Sequence, residues 1–170
     1  MKNRKEKTYT IEILLTQYKD FLSRVIYYIT GRGYTHASIA VDESEDAYYS
    51  FNKDGFRIEH PKRHKDIIGK SISYKLEVTK EEHTKIVELI NEFQEKRFSW
   101  KYSLRGVFLC KLGIAHKFEW RYFCSQFVAE LLQKANVLNL KENASLYFPN
   151  KLADELSACF QVKEVVLNPV

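Results

Sequence analysis

The sequence predicts an α+β domain, a small antiparallel sheet covered by helices, and three observations carry that prediction. Several segments alternate apolar and polar residues, the pattern of a strand with one face buried. Others place apolar residues three and four apart, the stripe of a helix lying on a core. The order is β-α-β-β-β-α, then a less regular region, then α-α-β, which suits an antiparallel sheet with helices packed against it.

Thr8 to Thr16 reads as the first strand, with Tyr9, Ile11 and Ile13 alternating and Leu14 and Leu15 continuing the apolar run. Asp20 to Thr30 sets Phe21, Leu22, Val25, Ile26, Tyr28 and Ile29 at helical spacing, and Gly31-Arg32-Gly33 ends that helix. From His36 to Asp42 and from Ala47 to Asn52 the alternation resumes. The polar run Glu43-Ser44-Glu45-Asp46 between them suits a hairpin, so these two are predicted to be adjacent antiparallel strands.

A polar, basic segment read as irregular follows, and Ser71 to Val78 alternates again with Ile72, Tyr74, Leu76 and Val78 on one side. Thr79 and Glu82 have capping-box spacing ahead of the stripe Ile86, Val87, Leu89, Ile90 and Phe93, which predicts a helix to about Lys96. Tyr102 to Ala115, broken by Gly106 and Gly113, reads as helical turns packed on the core and not as a cofactor loop. A helix opening on Cys124 carries Phe127, Val128, Leu131, Leu132 and Ala135 on one face. Pro149 opens a short helix through Leu156, and Phe160 to Leu167 is the last strand.

At 170 residues and 45% hydrophobic content, the chain fits one domain spanning 1–170 with a sizeable core, led by a flexible basic stretch, Met1 to Lys7. The apolar run after it is short and interrupted by Glu12, so no signal peptide is expected. No segment has the roughly 20 apolar residues needed to span a bilayer. Cys110, Cys124 and Cys159 are an odd number without metal-type or disulfide-type spacing, and reduced thiols in a cytoplasmic protein are the expectation. The net charge of +5 is read first as an ordinary solvated surface, with nucleic acid or an anionic membrane face as the alternatives.

Two distant segments carry chemistry. Cys124 stands in the first turn of its helix, where the helix dipole favours a thiolate, and His36 opens a strand and can act as the base that pairs with it. Alone, each residue has a structural reading, a small buried hydrophobe and a satisfied histidine. His60, His64, His83 and His116 lie in polar or basic surroundings and carry no comparable context. Cys110 and Cys159 sit in apolar runs and are read as packing residues, as are Trp100, Tyr102 and Trp120.

Three blocks together resemble the permuted branch of the NlpC-type, papain-like cysteine hydrolases, the YiiX-like and lecithin-retinol-acyltransferase-like group. They are the strand, helix and Tyr-Thr-His-Ala-Ser-Ile-Ala segment from Thr8 to Val41, the strand Tyr49 to Phe51, and Tyr-Phe-Cys-Ser-Gln-Phe-Val-Ala-Glu from Tyr122 to Glu130. In that branch the histidine strand precedes the cysteine helix, as it does here. The resemblance implies Cys124 as nucleophile, His36 as base and a polar residue on the next strand as orienter of the imidazole. At the position where relatives often carry His, Glu or Asn this chain has none. Ser50, fourteen residues after His36 and of matching parity, is the candidate, with Asn52 and Tyr48 as alternatives.

The oxyanion donors are expected to include the backbone N–H of Cys124. The function expected is a cofactor-independent cysteine hydrolase or acyltransferase acting on an amide, peptide or lipid ester through an acyl-enzyme, with neither cofactor nor metal. A non-catalytic binding module on the same fold is the rival, and nucleic-acid binding a further one. Peripheral membrane contact by the apolar Val107 to Ala115 segment is a lesser alternative to core packing.

Overall fold

A computed structural model describes residues 7–19, 21–31, 33–42 and 46–170, with the backbone only at Phe21 and Leu22. The predicted hairpin connection Glu43 to Glu45, the basic lead Met1 to Glu6, Asp20 and Arg32 lie outside the described residues. The strands are β1 (Tyr9–Tyr18), β2 (His36–Ala40), β3 (Tyr48–Asn52), β4 (Gly55–Glu59), β5 (Ile68–Val78), β6 (Lys101–Tyr102), β7 (Arg121–Tyr122) and β8 (Val162–Leu167). The helices are α1 (Phe21–Ile29), α2 (Lys80–Glu95), α3 (Leu104–Lys111), α4 (Cys124–Lys134) and α5 (Pro149–Ser157).

Six strands form one antiparallel sheet in the order β4-β3-β2-β1-β5-β8, and β6 and β7 make a separate two-residue parallel pair. The α+β class follows as predicted. Strand β1 is central because its residues can be buried from both sides: Ile11, Ile13 and Leu15 enter the main core, while Leu14 joins Ala40 and Tyr48 on the other face. Its pairing with β2 runs from Glu12 opposite Ala40 to Thr16 opposite His36, which fixes His36 at the mouth end of the sheet.

Helix α2 begins as its capping box requires: Glu82 N–H donates to Thr79 Oγ1 at 3.2 Å, and Thr79 N–H donates to Glu82 Oε2 at 2.7 Å. Helix α4 packs on β2 and β3 and lies almost wholly inside the molecule. Phe127, Val128, Ala129, Leu131 and Leu132 are each at most 2% exposed. Fully burying one such side chain is worth about 1.5–3 kcal/mol, so α4 is an anchor for whatever its first turn holds. An aromatic cluster of Phe51, Phe56, Phe93, Trp100, Tyr122 and Phe127 ties α4 to β3, β4 and α2.

Two segments depart from the sequence reading. The stretch after Asn52, read as irregular, contains strand β4, which pairs with β3 from Tyr48 opposite Glu59 to Asn52 opposite Gly55. Asp54 N–H donates to Asn52 Oδ1 at 2.9 Å and Gly55 takes φ +93°, so Lys53 and Asp54 form a tight turn whose last residue is left-handed. The segment from Tyr102 to Ala115, read as helical turns packed on the core, is divided. Gly106, Val107 and Cys110 of α3 are buried, whereas Leu104 and Phe108 are each 60% exposed.

Candidate active site

Cys124 is the first residue of α4. Phe123 before it supplies no side-chain cap, and the earliest amide of the helix to find a backbone carbonyl is that of Phe127, which donates to Phe123. The first-turn N–H groups therefore remain as donors beside the thiol, which is the positive end of the helix dipole. Cys124 is 3% exposed, and its Sγ lies 4.0 Å from the Thr35 carbonyl oxygen. Next to it, the Ser125 hydroxyl is buried with no partner among the described residues.

The loop before β2 brings the histidine to this point. Thr35 N–H donates to the Thr16 carbonyl at 2.9 Å, and Tyr34 N–H donates to Asn150 Oδ1 at 2.9 Å. Gly33 makes that approach possible: a Cβ at this position would fall 2.2 Å from Asn150 Oδ1, and its φ of +138° is one that glycine adopts without strain. His36 is held 8% exposed at the start of β2, with the Tyr18 ring edge-on at 5.4 Å.

The imidazole has two partners of opposite function. His36 Nε2 lies 2.7 Å from Glu59 Oε2, and the Cys124 side chain is close enough to the ring to favour its protonated form as well. Burial by itself disfavours the imidazolium, but the Glu59 carboxylate and the Cys124 sulfur outweigh it and hold the His36 pKa well above the usual histidine range. The arrangement sets the Cys124 sulfur on one side of the histidine and the Glu59 carboxylate on the other. Glu59 is itself steadied by Asn52, whose Nδ2 donates to Oε1 at 3.4 Å.

Of the residues named from sequence, Cys124 and His36 are brought together. Ser50 is not the residue found on the imidazole: its hydroxyl is spent on the Ala37 carbonyl at 2.6 Å and is sealed at 0% exposure. Counting from the Ile39–Tyr49 pair sets Ser38, not His36, opposite Ser50. Asn52 belongs to the site but acts on the Glu59 carboxylate. Tyr48 packs with Leu14 and Ala40 and stands opposite Glu59 in the β3–β4 ladder. Glu59, on the strand read as irregular, was missed. The signal was present as Asp54-Gly55 between Tyr-Ser-Phe and Phe-Arg-Ile, a dipeptide typical of hairpin turns flanked by alternating apolar residues.

His36 and Thr35 open onto a cavity of about 700 Å³ walled by Tyr18, Ile26, Phe51, Ile58 and Ile67, with Arg57, His60 and His64 also at its edge. Cys124 is not part of that wall; its sulfur lies behind Thr35, 4.0 Å from that residue's carbonyl oxygen. Three of the other four histidines have structural partners. His83 stacks on Tyr9 at 4.6 Å and meets the Val41 carbonyl at 3.1 Å, His60 Nδ1 contacts the Asp46 carbonyl, and His116 packs edge-on against Phe118. The Cys110 thiol is pushed up to about 12 by burial and stays protonated, consistent with packing. Among the described residues no group of three or more His, Cys, Asp or Glu side chains is placed to hold a metal ion, and no helix is long and apolar enough to cross a membrane. No protein-family model matches the chain, and no curated protein matches it either.

Proposed function

We propose that this chain is a cysteine hydrolase or acyltransferase on a permuted papain-like fold, with Cys124 as nucleophile, His36 as its acid–base partner and Glu59 as orienter. The observation that carries the reading is the chain of contacts from the Cys124 sulfur through His36 to Glu59, closed on the far side by Asn52. The sequence resemblance supports the roles of Cys124 and His36. Glu59 supplies the carboxylate that Ser50 could not, so the imidazolium has a charged partner rather than a hydroxyl.

In this mechanism the Cys124 thiolate adds to a substrate carbonyl, forming a C–S bond and a tetrahedral oxyanion that the first-turn amides stabilise. Collapse breaks the bond to the leaving amine or alcohol, which takes the His36 proton. Neutral His36 then deprotonates a water or other acceptor that adds to the thioester. Collapse of the second intermediate releases Cys124 as thiolate and leaves the imidazolium restored. The apolar lining at Tyr18, Ile26, Phe51, Ile58 and Ile67 favours an acyl group of apolar character.

The test is hydrolysis of a small panel of activated acyl thioesters and esters, with trapping of the acyl-enzyme by mass spectrometry. An adduct on Cys124, lost in Cys124→Ala and His36→Gln, is the expected result. Hydrolysis by Cys124→Ala at the wild-type rate would end the proposal. One observation favours a second reading, a binding module that retains the fold: Cys124 is buried and absent from the cavity wall. That reading expects a thiol that resists iodoacetamide at neutral pH in the folded protein.

A further inference from the structure

We propose that the exposed face of α3 and the loop after it form a docking surface for a bilayer carrying anionic lipid. At 100° per residue, Leu104, Phe108 and Leu112 fall in one row along the outer side of the helix. They are 60%, 60% and 55% exposed, and Ile114 beyond them is 50% exposed. The opposite side of the same helix, Gly106, Val107 and Cys110, is buried against the protein. The helix therefore satisfies its core with one face and presents a second apolar face outward.

Cations border that row on both sides. Lys111 falls on one flank and Arg105 on the other, and both are exposed. Among the described residues neither Arg105, Lys111 nor Arg121 is held in an ion pair. From Lys96 to Arg121 the chain has seven lysines and arginines (Lys96, Arg97, Lys101, Arg105, Lys111, Lys117, Arg121) against one acidic residue, Glu119. This one segment accounts for the whole positive surplus of a chain whose net charge is +5. A cleft of about 350 Å³ lined by Leu104, Arg105, Phe118 and Arg121 joins the helix to the returning loop, so apolar and basic groups share one surface.

The chemistry selects the occupant. A second copy meeting this face symmetrically would set cation against cation around the apolar row. Nucleic acid would match the charge, but its bases stack on aromatic rings, and three of the four outward apolar residues in the row are aliphatic. An anionic bilayer satisfies both parts, taking Leu104, Phe108, Leu112 and Ile114 into the acyl boundary while Arg105, Lys111 and Arg121 remain at the headgroups. Tyr102 lines both this cleft and the large cavity beside His36, so docking would set the cavity next to the lipid surface. The inference rests on the surface alone and stands whether or not Cys124 is catalytic.

The test is co-sedimentation of the full chain with vesicles of phosphatidylcholine and phosphatidylserine, and with phosphatidylcholine alone. Binding to the mixed vesicles, absent from the neutral ones and weakened by added salt, is expected. The double variants Phe108→Ser/Leu112→Ser and Arg105→Glu/Lys111→Glu should each lower partitioning at least about tenfold. All four side chains are exposed, so both variants should keep the wild-type melting curve, and Cys124→Ala should bind as the wild type does. Failure to bind mixed vesicles would overturn the proposal, as would wild-type partitioning by both double variants. A solution dimer that Phe108→Ser/Leu112→Ser converts to monomer, or an oligonucleotide that binds in preference to the vesicles, would also overturn it.

Discussion

His36 Nε2 and Glu59 Oε2 lie 2.7 Å apart although 23 residues separate them in the chain. The contact joins the first residue of β2 to the last residue of β4, with β3 between those strands in the sheet. Glu59→Gln keeps the shape and removes the charge. It should lower the His36 pKa and slow iodoacetamide alkylation of Cys124 at neutral pH at least about tenfold. Ser50→Ala should leave that rate near wild type while costing about 1 kcal/mol of stability through the lost bond to Ala37. The opposite ranking of the two variants would return the orienting role to Ser50.

The raised His36 pKa also makes a stability prediction with a definite sign. A folded-state pKa above the unfolded value means that the native protein holds the proton more tightly. The resulting stabilisation is present in full below about pH 6.5 and is lost as pH rises through the native value. Urea unfolding of wild type and His36→Gln above about pH 6 should therefore show a gap that narrows with increasing pH. A gap that widened with pH would contradict the charged pair, and titration of the His36 ring by NMR would show its native pKa directly.

Gly55 ends the turn that launches β4 with φ +93°, and a Cβ there would fall 2.1 Å from the Trp100 carbonyl oxygen. Gly55→Ala should cost more than about 2 kcal/mol, since the left-handed backbone alone accounts for roughly 1–2 kcal/mol before the clash is added. Gly31→Ala, at φ +84° with open space around it, should cost only the backbone part. Paired thermal melts decide this. Thiol alkylation of the Gly55→Ala protein should also slow, because displacing β4 displaces Glu59.

Glu130 fastens the loop before α4 to the helix: Lys117 Nζ and Lys134 Nζ donate to its Oε1 at 2.6 and 2.7 Å, and the buried Tyr122 hydroxyl donates at 3.0 Å. Burial opposes its charge, yet the two lysines prevail and hold its pKa below the usual carboxylate range. Glu130→Gln should therefore cost about 1–2 kcal/mol at neutral pH, discounted for the exposed lysines. The lowered pKa places this contribution above the ordinary carboxylate pKa, and it is lost as pH falls through the native value. Chemical unfolding of the pair of proteins should show curves converging in acid, and a difference independent of pH would refute the assignment.

Much of this fold was legible where periodicity is strong. The capping box of Thr79 and Glu82, the stripe from Ile86 to Phe93 and the buried face of α4 follow from local spacing, because a helix or strand that buries one face must repeat apolar residues at its own period. Strand β4 was hidden by its composition. Arg57, Glu59 and His60 make the stretch look like a solvated loop, and only the Asp54-Gly55 turn betrays a hairpin. Segment Tyr102 to Ala115 misled in the other direction, since apolar residues at helical spacing do not say which of them face the protein.

The sequence by itself determined the α+β class, the helix start at Cys124, the strand start at His36 and the order in which they come. These are local or pairwise properties, written in spacing, turn residues and caps. Only the tertiary structure decided what stands behind His36. The β3–β4 pairing brings Glu59 in from the next hairpin strand to the imidazole, while the register of β2 and β3 turns the Ser50 hydroxyl to the Ala37 carbonyl, and neither pairing is encoded by a single segment. The same holds for α3, whose outward row of Leu104, Phe108 and Leu112 is defined by where the rest of the core ends.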